Sequence, residues 1–123
     1  MTKTMQMRIA ALSGALAVGL GAFGAHGLAG VLEANKTVEI WETAVFYHFI
    51  HTLTLLWLAS AAPKSNGPRW CFTVGMLVFS GTLYILAVTG IRWLGAITPV
   101  GGTALIVGWI WLAVRASDGS KDG

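Results

Sequence analysis

Four long apolar segments separated by short polar ones dominate the pattern along the chain. They cover residues 9–28, 43–62, 70–89 and 96–114. A helix of about 20 residues, rising 1.5 Å per residue, spans the roughly 30 Å hydrocarbon core of a bilayer. The connections 63–69 and 90–95 are too short to hold a separate domain. The pattern therefore predicts one all-α transmembrane domain over residues 1–123, an integral membrane four-helix bundle.

The start of the chain also resembles a secretory signal, because Lys3 and Arg8 precede an apolar stretch. The apolar stretch is longer than the roughly 7–15 residues of a signal core, and three further spans follow it. We therefore expect the first segment to be an uncleaved membrane span.

The distribution of lysine and arginine predicts the orientation in the membrane. With four crossings, the two ends of the chain and the 63–69 connection share one side of the bilayer. That side carries Lys3, Arg8, Lys64, Arg69, Arg115 and Lys121, whereas the other side has only Lys36 and Arg92. Since positively charged residues are retained on the cytoplasmic side, both termini are predicted to be cytoplasmic.

Composition supports a membrane environment and argues against a nucleic-acid partner. Hydrophobic residues make up 55% of the chain and charged residues 11%, against about 25% charged residues in a typical soluble domain. The net charge of +3 is spread over residues that flank the apolar segments and forms no basic face. The single cysteine, Cys71, excludes an intramolecular disulfide and a multi-cysteine metal site.

Helical periodicity predicts which faces pack against protein. In the first span, small residues recur at every fourth position and should face another helix: Ser13, Ala17, Gly21, Ala25 and Ala29. Larger residues on another side should face lipid: Leu12, Leu16, Leu20 and Phe23. The fourth span has a shorter small pair, Ala104 and Gly108.

The second span sorts in the same way and turns two histidines inward. Ala44, His48, His51, Thr52, Leu55 and Ala59 share one side, while Phe46, Ile50, Leu53 and Trp57 share the other. In the third span, Thr73, Ser80 and Tyr84 fall on one face. Five tryptophans near span ends are typical of an interfacial aromatic belt: Trp41, Trp70, Trp93, Trp109 and Trp111.

The candidate functional site lies in the half of the membrane away from the termini. It contains His26, Glu42, His48, His51 and Tyr84. Histidines at i and i+3 can share a metal with His26 or Glu42 as a third ligand, or histidines from two helices can bind haem iron. Imidazoles can also relay protons. The alternative that the sequence favours is structural: neutral imidazoles hydrogen-bonded to neighbouring helices, with no cofactor.

Four segments of the chain resemble a known family. They are LGAFGAHGL at 20–28, WETAVFYHFIH at 41–51, FSGTLY at 79–84 and LGAITPVGG at 94–102. Together they resemble the small four-span proteins of the transmembrane protein 256 family, also catalogued as domain of unknown function 423. The resemblance implies a bacterial inner-membrane or mitochondrial-type protein and implies no activity. Because the N-terminus is neither Arg-rich nor Ser-rich, a transit peptide is not indicated and we expect the bacterial inner membrane.

The sequence contains no nucleotide-binding loop and no nucleophile–base motif, so we expect a protein that is not an enzyme. The leading hypothesis is an accessory or structural component of the membrane, in contact with the lipid bilayer and with a larger membrane complex or further copies of itself. One alternative is a small transporter or proton-linked conduit that uses the histidines. The other is a metal- or haem-binding membrane protein.

Overall fold

Residues 1–122 are described by a computed structural model, with side chains described up to Arg115. The backbone forms α1 (Lys3–Ala25), α2 (Ala29–Asn35), α3 (Val38–Ala61), α4 (Asn66–Thr89) and α5 (Thr98–Asp122), with a 3-10 helix (Arg92–Ala96) before α5. Four segments are long and apolar enough to cross a membrane: α1, α3, α4 and the segment Arg92–Arg115. The prediction of an all-α protein with four membrane-spanning helices is confirmed.

The helices extend beyond the apolar segments that predicted them. At the start of α1, the hydroxyl oxygen of Thr2 accepts a hydrogen bond from the backbone N–H of Met5 at 3.1 Å, which caps the first turn. α3 begins at Val38, ahead of the apolar segment. Hydropathy marks only the stretch that suits lipid, whereas helical hydrogen bonding continues into polar flanks.

The short helix α2 was not predicted from the sequence. It connects α1 to α3 and ends at Asn35, and the next residue, Lys36, has a left-handed backbone with φ 57°. Its residue Leu32 is fully buried beside Trp41 and Ala87. α2 therefore covers the ends of α1, α3 and α4 on the side of the bundle away from the chain termini, called here the distal side.

The four long helices pack in chain order. α1 packs along α3, α3 along α4 and α4 along α5, whereas no Cα atoms of α1 and α5 approach within 8 Å in the part of the chain that the structure describes. Of the helices that the structure describes, α2 and α3 are those whose backbones come close to α1. A large part of its surface is therefore left to lipid or to another protein.

Glycines bring α4 and α5 into backbone contact. A Cβ atom built on Gly101 would collide with the backbone nitrogen of Phe79 and would lie 2.8 Å from the carbonyl oxygen of Gly75. Such close approach is how membrane helices gain packing energy. Of the small pair predicted in this span, Gly108 is buried and Ala104 is half-buried. Gly101 makes the closest contact.

The end of α4 is held by the turn between α2 and α3. The hydroxyl of Thr37 donates to the carbonyl of Ala87 at 2.7 Å. The side-chain amide of Asn35 donates to the carbonyls of Ala87 and Val88 at 3.1 and 3.0 Å. We call these contacts the α4 clasp. They satisfy carbonyls that have no partner inside a helix at its C-terminus.

Candidate functional site

The inward face of α3 follows the prediction. Ala44, His48, His51, Thr52 and Ala59 are all buried. On the opposite side Phe46 is 61% exposed. The outer side of α1 also agrees, since Leu12 is 71% exposed. Leu20 is the exception: it is half-buried because it packs beside Trp41.

His48 stands at the centre of a hydrogen-bonded chain across three helices. Its Nδ1 lies 2.9 Å from the hydroxyl oxygen of Tyr84 on α4. Its Nε2 lies 3.0 Å from Ser13 Oγ on α1, and that hydroxyl lies 2.7 Å from Thr52 Oγ1. We call Tyr84, His48, Ser13 and Thr52 the hydroxyl–imidazole chain.

Both neighbours of His48 in the hydroxyl–imidazole chain are hydroxyl groups. A hydroxyl can donate one hydrogen bond and accept others, whereas a neutral imidazole has one donor and one acceptor nitrogen. Both tautomers of His48 therefore find a suitable partner at each nitrogen without any movement of heavy atoms. The hydroxyl–imidazole chain ends at Thr52, whose Oγ1 lies 3.6 Å from the sulfur of Met76 and can donate to it.

His51 has partners of a different kind. The indole Nε1–H of Trp109 on α5 donates to His51 Nε2 at 3.1 Å. The other ring nitrogen, Nδ1, lies 2.8 Å from the carbonyl oxygen of Tyr47. Because an indole can only donate and a carbonyl can only accept, these partners fix one form, the neutral imidazole with its proton on Nδ1.

Two residues of the predicted site stand apart from the buried histidines. His26 directly follows α1 and is exposed, and Glu42 is exposed on the first turns of α3. Among the residues whose side chains are described, no three of His, Cys, Asp and Glu form a group that could hold a metal ion. The arrangement of His48 and His51 with His26 or Glu42 as a third ligand is therefore not assembled, and the hypothesis of a metal shared by these residues is wrong.

The interpretation of Trp41 as part of an interfacial belt is also wrong. Its side chain is 4% exposed and turns into the bundle. Its Nε1–H donates to the carbonyl of Leu20 at 2.9 Å, and its ring packs on Tyr84 with centroids 4.8 Å apart. Gly24 makes this possible, because a Cβ atom there would collide with the indole.

Sequence reasoning missed two direct partners of the histidines, Ser13 and Trp109, and one further member of the hydroxyl–imidazole chain, Thr52. Ser13 was assigned only to a stripe of small residues, Thr52 only to the inward face of α3, and Trp109 to the aromatic belt. The signal for Ser13 is its hydroxyl group, since an alanine would serve close packing equally well. Nothing in the spacing of Trp109 indicates that it bonds to His51.

Comparison with known proteins places the chain in a family of bacterial membrane proteins. A family model described as "Protein of unknown function (DUF423)" matches residues 20–102, which include all five predicted site residues. A UPF0382 membrane protein of Bacillus subtilis, YwdK, is 47% identical over 114 residues, covering 88% of this chain and 92% of the relative.

Two further relatives come from other bacterial groups. A UPF0382 membrane protein of Staphylococcus saprophyticus is 46% identical over 110 residues, covering 86% of this chain and 91% of its own. One from Haemophilus influenzae is 40% identical over 115 residues, covering 90% and 92%. No solved structure matches. Because the family model and these relatives match most of its length and it has four apolar helices, the chain belongs to the DUF423 family of membrane proteins.

Proposed function

We propose that the protein is a non-enzymatic accessory component of a larger complex in the bacterial inner membrane, attached through the outer face of α1. The observation that carries the proposal is a row of small, exposed residues on this face: Ala11, Ala15, Gly19 and Ala22. Gly19 faces open space, with no atom within 4 Å of a Cβ atom built on it.

Ala11, Ala15 and Gly19 of this outer row have the same four-residue spacing as the inner row that packs against α3, and Ala22 follows three residues later. Small residues let the backbones of membrane helices approach closely, so a row of them facing lipid leaves a packing surface unused. Among the helices in the part of the chain that the structure describes, α2 and α3 are those whose backbones lie near α1. A helix of another protein, laid along Ala11, Ala15 and Gly19, would use this surface.

The buried polar groups support a structural role for the interior. His48 and His51 each have both ring nitrogens within hydrogen-bond distance of a group of this chain. The hydroxyl of Ser80 likewise donates to the carbonyl of Ala44 at 2.8 Å. Polar groups inside a membrane protein are costly unless they are paired, and pairs between helices fix their register. These bonds therefore suit a rigid scaffold.

The location in a bacterial inner membrane, with both termini in the cytoplasm, is part of the proposal. Its support is the excess of lysine and arginine on the side of the termini, together with relatives from Bacillus, Staphylococcus and Haemophilus.

Purification from native membranes in a mild detergent tests the accessory role. The tagged wild-type protein should elute with a larger complex, and Gly19→Leu should release it, because the added side chain holds the partner helix away. Gly81→Leu is the matched control, since Gly81 on α4 also faces open space and the variant should stay in the complex. Recovery of the wild type only alone or as a homo-oligomer would contradict the proposal.

A second candidate, a proton-linked conduit, is favoured by the hydroxyl–imidazole chain. Because both tautomers of His48 fit their neighbours, a proton can be passed along Tyr84, His48, Ser13 and Thr52 by exchanging donor and acceptor roles. Purified protein in vesicles with an imposed pH gradient should then carry a proton flux.

In this assay Tyr84→Phe should abolish the flux, because it removes the hydroxyl at one end of the chain. Tyr47→Phe is the control, since the Tyr47 hydroxyl lies outside the hydroxyl–imidazole chain. Absence of flux with the wild type, or equal loss in both variants, rejects the conduit.

A further inference from the structure

A cleft of about 610 Å³ opens on the side of the bundle formed by α1, α2 and α3. Its floor is built from small residues of α1, including Gly21 and Ala25, and its wall from larger apolar residues of α3, including Val45, Phe46 and Phe49. Its volume lies within the roughly 300–1,000 Å³ of known small-molecule sites. A chain that lies in a membrane exposes such a cleft to lipid.

The cleft is as long as one leaflet of a bilayer is thick. On α3 it extends from Val38, at the distal end of the helix, to Ile50 near the middle. A rise of 1.5 Å per residue gives a length of about 18 Å, close to half of the roughly 30 Å hydrocarbon core. A membrane-spanning helix of a partner would need a groove about twice as long. One acyl chain fits this length.

The distal end of the cleft is acidic. Glu33 on α2 and Glu42 on α3 both line it and are both exposed. The remaining lining near the middle of the membrane is apolar. A ligand for this cleft therefore has an apolar tail directed to the middle of the bilayer and a group that attracts carboxylates at its other end.

We propose that the cleft binds a phospholipid with a primary ammonium headgroup in the distal leaflet. One acyl chain lies between α1 and α3, and the ammonium group lies between the carboxylates of Glu33 and Glu42. A primary ammonium has three N–H donors, and its hydrogen bonds to carboxylates are charge-assisted. A choline headgroup has no N–H donor, and a glycerol headgroup leaves the phosphate charge unbalanced beside two carboxylates. This binding site is independent of the accessory role.

Native mass spectrometry of the full-length protein in detergent tests the site. The probes are phospholipids with identical dioleoyl chains and an ethanolamine, choline or glycerol headgroup. The wild type should bind the ethanolamine lipid about tenfold more tightly than the other two, as expected for a charge-assisted pair. Glu33→Gln combined with Glu42→Gln should remove this preference. Glu39→Gln is the control, since Glu39 is an exposed carboxylate of α3 outside the cleft, and the variant should keep the preference.

A second pair of variants tests the tail. Ala25→Leu places a larger side chain in the cleft and should weaken binding of all three lipids, whereas Ala113→Leu, at an exposed alanine of α5, should not. Equal binding of the three headgroups by the wild type would overturn the proposal, as would full binding by Ala25→Leu. A photoreactive residue at Phe46 that cross-links to a polypeptide in cells, rather than to lipid, would assign the cleft to a protein partner instead.

Discussion

At the scale of single residues, the two buried histidines of α3 differ in what their neighbours allow. His48 has a hydroxyl group at each ring nitrogen, whereas His51 lies between a donor, Trp109, and an acceptor, the carbonyl of Tyr47. Trp109→Phe keeps an aromatic ring beside His51 but removes its donor. A buried acceptor left without a partner costs about 1–3 kcal/mol, so we expect this loss in the free energy of unfolding in detergent.

The tautomer of His51 provides the direct readout. In the wild type, the ¹⁵N chemical shifts of His51 should report a proton on Nδ1 alone. Trp109→Phe should keep that proton, because the Tyr47 carbonyl still accepts it, and should shift the Nε2 resonance, because Nε2 loses its donor. Trp111→Phe is the control, because the Trp111 side chain packs at Gly67, away from His51. A wild-type His51 carrying its proton on Nε2 would contradict the assigned hydrogen bonds.

At the scale of the helices, the contact between α4 and α5 is the least tolerant of added volume. Gly101→Ala should destabilise the protein by about 1–3 kcal/mol, the usual cost of overpacking, since its Cβ atom would meet backbone atoms that cannot move aside. Gly102→Ala is the matched control, because its Cβ atom would lie 3.6 Å from the Phe79 ring. It should be neutral or slightly stabilising, as alanine favours a helix. Equal unfolding free energies of the two variants would rule out the backbone contact.

The sequence predicts the four spans and the inward face of α3 because hydropathy and helical periodicity are local properties. It groups Tyr84 with His48 but does not predict Ser13 as a partner, because Ser13 lies 35 residues from His48 and meets it only through the rotation and axial shift of two helices. His26 and Glu42 were grouped with the buried histidines because they lie at a similar depth in the membrane. Depth along a helix does not determine the direction in which a side chain points around the helix axis. The seven-residue helix α2 is too short to give a hydropathy signal.

At the scale of the whole molecule, the orientation in the membrane has a simple test. In a Cys71→Ser background, Lys36→Cys and Lys64→Cys place single thiols on exposed positions at opposite ends of the bundle. A membrane-impermeant thiol reagent should label Lys36→Cys in cells whose inner membrane is intact. It should label Lys64→Cys only after that membrane is opened. The reverse pattern would place the termini outside the cytoplasm.

The α4 clasp has a consequence for biosynthesis. Because the chain is made from its N-terminus, Asn35 and Thr37 reach the membrane before Ala87 and Val88, which follow about 50 residues later. Until then their donors are left to interfacial water. The hydrogen-bond donors for the C-terminal carbonyls of α4 are therefore in place between the first two spans before α4 is synthesised. If synthesis stops before Val88, the donors of Asn35 and Thr37 have no carbonyl partners on α4. If α4 inserts with a shift of one residue, its carbonyls are out of register with these donors.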